Sequence, residues 1–201
     1  MHKDISPQKN LLIVISGPSG VGKTTVIKRV MERAGTAGRM RFSISATTRP
    51  PRPGERDGVD YHFISKEEFE RHVEAGDFLE WAHVHEASYG TLRSELERVA
   101  ASGKDLLLEL DVQGGASIRK SFPDALLIFL SVPDSELRRR LENRPTSLSP
   151  EKLRHEINLR LRNAAAEMQQ ANFYDHIVLN ENLDETVKRI ISIILAKRSS
   201  L

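Results

Sequence analysis

The chain has 201 residues, with 30 Lys and Arg, 28 Asp and Glu, seven His and no Cys. This length fits one domain, with or without inserted lobes. The missing cysteine excludes disulfides, thiolate catalysis and Cys-ligated zinc or iron–sulfur sites. The longest apolar runs, 11–15 and 125–130, are far shorter than the ~20 residues of a membrane span, and the polar start of the chain is unlike a secretory signal. A soluble, cytoplasmic protein without a membrane partner is therefore expected.

The charges are unevenly distributed although the formal net charge is only +2. Residues 39–57 carry five Arg against two acids, and residues 138–162 carry eight basic residues against three acids. Between them, residues 66–86 carry two basic residues against seven acids. Two basic stretches favour small anionic ligands, although solvated faces give the same pattern. A chain of so little net charge is not expected to bind nucleic acid.

The first part of the chain predicts a strand, a glycine-rich turn and a helix. The apolar run 11–15 is typical of a buried parallel strand. Apolar residues then recur at helical spacing between 26 and 31. A weak strand is predicted at 42–46, and the prolines and glycines of 50–58 predict an irregular loop.

The middle of the chain alternates between helical and strand patterns. Ser65 opens a capping box for a helix that extends to about residue 74, and 78–84 alternates like a strand. A helix is predicted at 92–101. The apolar runs 106–110 and 125–130 predict two further buried strands.

The last part predicts three helices and one strand. An Arg-rich helix follows Pro133, and Ser149 with Pro150 marks the start of the next helix. That helix is predicted to carry one apolar stripe, formed by Leu153, Ile157, Leu161, Ala164 and Met168. A short strand at 177–179 follows. The final amphipathic helix has its apolar face at Val187, Ile190, Ile191, Ile194 and Leu195.

This order of elements predicts an α/β fold with an open, mainly parallel sheet and helices on both faces, as in phosphate-loop nucleotide-binding proteins. The core of a single domain is predicted at about 11–41, 89–137 and 171–197. An inserted lobe is expected at about 42–88, and an Arg-rich second insertion at about 138–170.

A phosphate-binding motif follows the first strand. The segment Gly17-Pro18-Ser19-Gly20-Val21-Gly22-Lys23-Thr24 matches G-x-x-x-x-G-K-[ST]. Its glycines let backbone N–H groups turn toward phosphate oxygens, and the following helix presents its positive N-terminus to the same anion. Lys23 can reach the β- and γ-phosphates, and the Thr24 hydroxyl can bind Mg²⁺. The motif predicts binding of a nucleoside triphosphate, but it occurs in GTPases, motor ATPases and small-molecule kinases alike.

Asp111 is the predicted second acidic residue of this phosphate site. It follows a buried strand and would hold the water shell of Mg²⁺; the alternative is a carboxylate that only caps the strand end. Glu109, two residues earlier, points to the same face. Four histidines lack the spacing of metal ligands and are interpreted as surface or packing residues: His62, His83, His85 and His155.

Residues 43–63, SISATTRPPRPGERDGVDYHF, closely resemble the substrate-binding segment of guanylate kinases. Segments 78–82, 89–91, 110–114 and 178–184 resemble the same family in the same order. The resemblance spans about 11–195. It implies an enzyme that transfers the γ-phosphate of ATP to GMP, giving ADP and GDP, with Mg²⁺ as cofactor.

The resemblance also implies the GMP-binding residues. Those at the phosphate clamp are Arg49, Arg52, Tyr61 and Tyr89. Those that read guanine are Ser45, Glu80 and Thr91, and Glu109 and Asp111 complete the predicted GMP site. Guanidinium groups neutralise a phosphate dianion in bidentate geometry. A carboxylate accepts the adjacent N1–H and N2–H of guanine, whereas adenine presents a lone pair there.

The catalytic residues implied by the resemblance are Lys23, Arg49, Arg140, Arg144 and Arg160. The last three lie in the lid insertion, which would close over the triphosphate and exclude water. After Arg144 the family has a Gly and an acidic run, whereas this chain has the longer sequence PTSLSPE. Arg154 or Arg162 could therefore replace Arg144 or Arg160. Asn180 falls in the loop that holds the adenine of ATP.

No general base is predicted, because the acceptor phosphate is already largely dianionic near pH 7, its second pKa being about 6. Two alternatives stay open. One is a related phosphate-loop kinase with another phosphorylated acceptor, which would not need the guanine-reading residues. The other is a non-catalytic guanylate-kinase-like binding module, which typically lacks the phosphate loop. The sequence predicts neither the oligomeric state nor whether dGMP is accepted.

Overall fold

The computed structural model describes residues 10–35, 38–84, 86–143 and 149–200. The strands within these residues are β1 (Leu12–Ser16), β2 (Met40–Phe42), β3 (Ala46–Thr47), β4 (His62–Phe63), β5 (Phe78–Val84), β6 (Ala87–Leu92), β7 (Asp105–Glu109), β8 (Leu126–Ser131) and β9 (His176–Leu179). The helices are α1 (Lys23–Gly35), α2 (Lys66–Ala75), α3 (Arg93–Ala101), α4 (Val112–Ser121), α5 (Asp134–Glu142), α6 (Pro150–Gln169) and α7 (Leu183–Ser199). A short 3₁₀ helix lies at Ala171–Phe173.

The main sheet is parallel, with the strand order β2-β7-β1-β8-β9. Every residue of its central strand β1 is buried. Ile13 and Ile15 join a core cluster with α1 and α7 on one face, whereas Leu12 and Val14 join a second cluster with α3 and α4 on the other. Because successive side chains of a strand point to opposite faces, both faces are covered by helices. The predicted fold class is confirmed.

The inserted lobe has a sheet of its own, with the strand order β4-β3-β6-β5. β3 pairs parallel with β4, and β6 pairs antiparallel with both β3 and β5. Its core is small and consists of Ala46, Phe69 and Phe78 with a few half-buried neighbours. The rings of Phe69, on α2, and Phe78, on β5, lie 4.5 Å apart. This second sheet extends to Leu92, past residue 88.

Two helices begin at the predicted residues. The Ser65 side chain accepts the backbone N–H of Glu68 at the start of α2, and Ser149 accepts the N–H of Lys152 at the start of α6. Both serines satisfy an N–H group that the first helical turn leaves without a partner. None of the helices described is long and apolar enough to cross a membrane.

Other sequence predictions are wrong in detail. The stretch 42–46 is not one strand, because β2 ends at Phe42 in the main sheet and β3 begins at Ala46 in the second sheet. Helix α4 and strand β6 were not predicted. Met168 and Leu195, predicted on apolar faces, are 43% and 58% exposed. In both α6 and α7, the face that is buried against the rest of the protein is therefore narrower than the apolar pattern of the sequence indicates.

Candidate active site

The phosphate-loop motif lies between β1 and α1 and turns on three glycines with positive φ angles. These are Gly17, Gly20 and Gly22, with φ of +148°, +92° and +97°. A Cβ atom on Gly17 would lie 2.4 Å from the carbonyl oxygen of Leu130 on β8. The loop can therefore keep this conformation only with glycine. Because α1 begins at Lys23, the helix N-terminus and the loop N–H groups serve one anion site.

The Lys23 ammonium is folded onto the loop. It donates to the carbonyl oxygen of Gly17 at 2.5 Å and to that of Pro18 at 3.2 Å. Burial lowers the pKa of Lys23, and three carboxylates oppose this shift: Glu109, Glu167 and Asp111. The cation thus lies on two backbone oxygens, in the field of three carboxylates, at the place where the motif would hold a phosphate.

The carbonyl oxygen of Val21 ties the phosphate loop to two distant segments. It accepts the side-chain amide of Asn180 at 2.7 Å and Nη1 of Arg140 at 2.8 Å. Nη2 of Arg140 donates to the backbone oxygen of Asn180 at 2.7 Å, and its Nε donates to Glu136 at 2.7 Å. Three nitrogens of Arg140 therefore have protein acceptors, and the guanidinium braces the loop from α5.

Oxygen donors suited to Mg²⁺ lie beside Lys23. The Thr24 hydroxyl donates to Glu109, whose pKa is raised by burial. Oδ1 of Asp111 accepts the N–H of Gly114 at 2.8 Å as the N-cap of α4. In the part of the chain that the structure describes, no three His, Asp or Glu side chains are grouped to hold a metal alone. One or two protein oxygens are enough for Mg²⁺, because this ion typically completes its coordination with water molecules and with phosphate oxygens of the nucleotide.

Three predicted guanine-reading residues are hydrogen-bonded together on the second sheet. Thr91 on β6 lies opposite Glu80 on β5 and donates to Oε1 of Glu80 at 2.7 Å. The hydroxyls of Ser45 and Thr91 are 3.5 Å apart. Glu80 is 7% exposed, and burial raises its pKa to about 7 against the opposing Thr91 hydrogen bonds. A nearly buried carboxylate without a cation is expected to bind a donor-rich ligand strongly.

Gly114 joins this second sheet to the main sheet. A Cβ atom at this position would lie 2.8 Å from Oε2 of Glu80 and 3.4 Å from Oδ1 of Asp111. The first turn of α4 therefore lies directly against the carboxylate that is predicted to read guanine. The predicted Mg²⁺ residue and the predicted base-reading residue consequently border one space.

The predicted phosphate clamp groups Arg49 with two tyrosines. The Arg49 guanidinium lies 5.0 Å from the ring centre of Tyr61, and the rings of Tyr61 and Tyr89 are 5.9 Å apart. Burial raises the pKa of Tyr61 to about 12, so its hydroxyl remains a donor at neutral pH. The side chain of Arg52, the other predicted member, is exposed.

A family model for guanylate kinase matches residues 9–197. The chain belongs to the guanylate kinase family. A guanylate kinase of Thermotoga maritima is 44% identical over 194 residues, or 96% of this chain and 90% of the relative. One of Fusobacterium nucleatum is 46% identical over 184 residues, 91% and 95% of the two chains. The crystal structure of guanylate kinase from Anaplasma phagocytophilum has a TM-score of 0.74 at 31% identity, covering 96% of this chain and 89% of that one.

The predicted lid of this guanylate-kinase-family chain is the part least like the expectation. Arg160 forms an ion pair with Glu156 one turn earlier on α6. Arg140 braces the phosphate loop. Arg144 lies outside the described residues. The predicted contacts of these arginines with a triphosphate therefore remain predictions.

Sequence reasoning missed three residues that the structure places at the site. Glu167 on α6 faces Lys23, Gly114 borders Glu80, and Glu55 is bonded to Arg49. Glu167 was hidden among many solvated acids. Glu55 and Gly114 lie in segments that resemble guanylate kinases, 43–63 and 110–114, so the resemblance was the signal that could have found them.

Proposed function

We propose that this chain catalyses transfer of the γ-phosphate of ATP to GMP, giving ADP and GDP, from two sites that meet at the first turn of α4. The observation that carries the proposal is the contact between Glu80 and Gly114, three residues from Asp111. It joins a base-reading sheet to a phosphate loop. Membership of the guanylate kinase family supports the same reaction.

ATP is proposed to bind on the main sheet. The N–H groups of 17–24 would surround its phosphates, and Lys23 would leave the carbonyl oxygens of Gly17 and Pro18 for the β- and γ-phosphates. The adenine would lie against the loop at Asn180. Thr24 directly, and Asp111 through water, would hold Mg²⁺, which neutralises phosphate charge when it is bound.

GMP is proposed to bind on the second sheet. Glu80 would accept the N1–H and N2–H of guanine, and the hydroxyls of Thr91 and Ser45 would donate to O6. An adenine would place a lone pair against the Glu80 carboxylate. Because that carboxylate is nearly buried, the mismatch would leave it without a donor, which disfavours AMP strongly.

The GMP phosphate is proposed to lie at Arg49, Arg52, Tyr61 and Tyr89. Arginines balance the two negative charges, and the phenols donate hydrogen bonds without adding charge. An oxygen of this phosphate then attacks the γ-phosphorus of ATP, and the bond from that phosphorus to the ADP oxygen breaks. No side chain has to remove a proton, so positioning and charge neutralisation supply the catalysis.

The lid is proposed to act in two ways. Arg144 and Arg160 would approach the transferred phosphoryl group when the lid closes and would help to exclude water. Arg140 would support the phosphate loop through Val21. Glu109, which interacts with Lys23 and Thr24, would lie between the two nucleotides.

The test is an ADP-release assay with ATP, Mg²⁺ and one acceptor at a time: GMP, AMP, CMP, UMP or none. Release that requires GMP is expected. The variant Glu80→Gln should lose selectivity for GMP over AMP by about 1–3 kcal/mol, the cost of mispairing a buried polar group. ADP release that does not depend on the acceptor would contradict the proposed reaction. Unchanged selectivity for GMP over AMP in Glu80→Gln would contradict the proposed role of Glu80.

A further inference from the structure

The carboxylate of Glu55 is bonded to the loop that carries both predicted clamp arginines. It accepts Nη1 of Arg49 at 2.6 Å and Nη2 at 2.7 Å, one on each oxygen. The oxygen facing Nη1 also accepts the backbone N–H of Arg52 at 2.8 Å. The side chains of Arg49 and Glu55 are only 13% and 20% exposed. One carboxylate thus fixes the orientation of one arginine and the backbone of the other.

The bond pattern divides the Arg49 guanidinium into two edges. Glu55 occupies the end formed by Nη1 and Nη2, and the second hydrogen of Nη1 goes to the oxygen of Pro50 at 3.0 Å. A guanidinium has five N–H groups in one plane. Two of them, on Nε and Nη2, therefore remain on the other edge, which is itself a fork that matches two phosphate oxygens.

Aromatic groups lie beside the same guanidinium. The guanidinium carbon is 5.0 Å from the ring centre of Tyr61 and 5.6 Å from that of Phe63. The hydrogen bonds with Glu55 are the main cause of the raised pKa of Arg49, and an interaction with the Tyr89 hydroxyl adds to it. Arg49 is therefore held between a carboxylate and the two predicted tyrosines of the clamp.

Glu55 is built to remain charged. Its hydrogen bonds from Arg49, assisted by the N–H of Arg52, lower its pKa to about 2. It therefore stays ionised wherever the enzyme would work. A dianionic phosphate at the opposite edge of Arg49 does not compete for the same hydrogens.

We propose that Glu55 is a positioning residue for GMP: it holds the Nη1–Nη2 edge of Arg49 so that the Nε–Nη2 edge faces the 5′-phosphate. The inference rests on the proposed function, because it takes Arg49 as a phosphate ligand. It predicts that Glu55 acts on GMP mainly through the side chain of Arg49, because Glu55 bonds only the backbone N–H of Arg52. It also predicts that ATP binding does not depend on Glu55.

The test is a double-mutant cycle on the full chain, with Glu55→Gln, Arg49→Gln and the double variant. A glutamine keeps the size of Glu55 but has one acceptor oxygen and no charge, so it cannot satisfy both Nη groups. We expect Glu55→Gln to raise the KM for GMP about tenfold or more, with a smaller change in kcat and an unchanged KM for ATP. The double variant should match Arg49→Gln alone, because the arginine that Glu55 orients is then absent.

Three comparisons make the outcome decisive. Glu70→Gln, an exposed acid in the same lobe, should leave both KM values unchanged. Glu55→Asp keeps the charge, but its side chain is shorter by one methylene and reaches the Nη atoms less well, so it should fall between wild type and Glu55→Gln. It also serves as the informative variant if Glu55→Gln does not fold.

The failures of the two proposals can be distinguished. If Arg49→Gln keeps the wild-type KM for GMP, the proposed clamp itself is wrong. If Arg49→Gln raises that KM and Glu55→Gln does not, only the role of Glu55 is overturned. A full extra increase in the double variant over Arg49→Gln would also overturn it, because Glu55 would then act without Arg49.

Discussion

The two halves of the proposed active site are built in different ways. The ATP half uses backbone groups on a sheet whose central strand is completely buried. The GMP half uses side chains on a small second sheet whose buried core consists of Ala46, Phe69 and Phe78. Its key groups, Glu80 and Arg49, are ionisable and need partners. The ATP half is thus fixed by chain geometry, whereas the GMP half depends on individual side chains.

This difference matches the chemistry of the two tasks. Every nucleoside triphosphate presents the same phosphate oxygens, which backbone N–H groups can bind whatever the base. Selecting one base requires a fixed set of donors and acceptors, and a buried carboxylate provides that at the expense of stability. Substitutions on the GMP side should therefore change selectivity, pH dependence and local stability, whereas those at the phosphate loop should mainly lower the rate of turnover.

The largest effect is expected for Lys23→Ala, which tests whether the two halves are separable. Loss of the cation at the transferred phosphate should lower kcat by about 100-fold to 1,000-fold. GMP binding measured by calorimetry should remain largely intact. Lys28→Ala, an exposed substitution on the same helix, is the control and should behave as wild type. Loss of GMP binding in Lys23→Ala would mean that the halves do not bind independently.

The next largest effect concerns the small core of the GMP half. Phe69 is 2% exposed, so Phe69→Ala should cost about 3–5 kcal/mol. Since its contacts are within the lobe, hydrogen exchange should accelerate in α2 and β5 but not in β1 and β8. Val59→Ala, at a 49% exposed position of the same lobe, should change neither. Equal acceleration in both sheets would show one cooperative unit instead of two.

A smaller effect should appear in stability at Glu80. Its pKa of about 7 in the folded protein lies above the ordinary 4.5. The folded state therefore binds this proton more tightly, and the free energy of unfolding falls as pH rises from about 4.5 to about 7. Glu80→Gln should be up to about 3 kcal/mol more stable than wild type at pH 8, since one pKa unit corresponds to about 1.4 kcal/mol and the pKa is raised from 4.5 to about 7.

Denaturant titrations at pH 5 and pH 8 check this expectation. The advantage of Glu80→Gln should shrink at pH 5, where wild-type Glu80 is protonated. Glu70→Gln should show no such pH-dependent difference. A Glu80→Gln variant less stable than wild type at pH 8 would contradict the assigned cost of ionisation.

The smallest effect is the pH dependence of GMP recognition. The ionised Glu80 accepts guanine, and at pH 6 about one tenth of a group with a pKa of about 7 is ionised. The KM for GMP should therefore be up to about tenfold higher at pH 6 than at pH 8. The GMP phosphate titrates in the same range, so the profile of Glu80→Gln supplies the correction. Identical profiles for the two proteins would exclude Glu80 as the titrating group.

Sequence patterns predicted the main sheet better than the second sheet. Runs such as 106–110 and 125–130 are continuous and apolar because parallel strands are buried on both faces. Helix α4 escaped prediction because it contains Gly114 and Gly115, which oppose helix formation. They are needed for packing, since a Cβ on Gly115 would lie 2.3 Å from the Tyr174 hydroxyl. Tertiary contacts thus override local propensity there.

The residues of the candidate site also differ in how well the sequence predicts them. The phosphate-loop motif is contiguous, so Lys23 and Thr24 could be assigned from spacing alone. The group of Ser45, Glu80 and Thr91 comes from three separate strands or loops and was accessible only through resemblance. The pairing of Arg49 with Glu55 spans six residues of an irregular loop, and no periodicity indicates it.

The carbonyl oxygen of Val21, which accepts hydrogen bonds from both Asn180 and Arg140, has a consequence for folding during synthesis. Asn180 and Val21 are 159 positions apart, and the ribosome makes the phosphate loop long before the residue that holds its carbonyl oxygen. Domains fold as units during synthesis from the N-terminal side. In a nascent chain whose strand β9 is still inside the ribosome, the phosphate-loop motif is already outside, but the side chain of Asn180 is not yet available to bind the carbonyl oxygen of Val21. The braced form of the proposed ATP site is therefore expected only after residue 180 has left the ribosome.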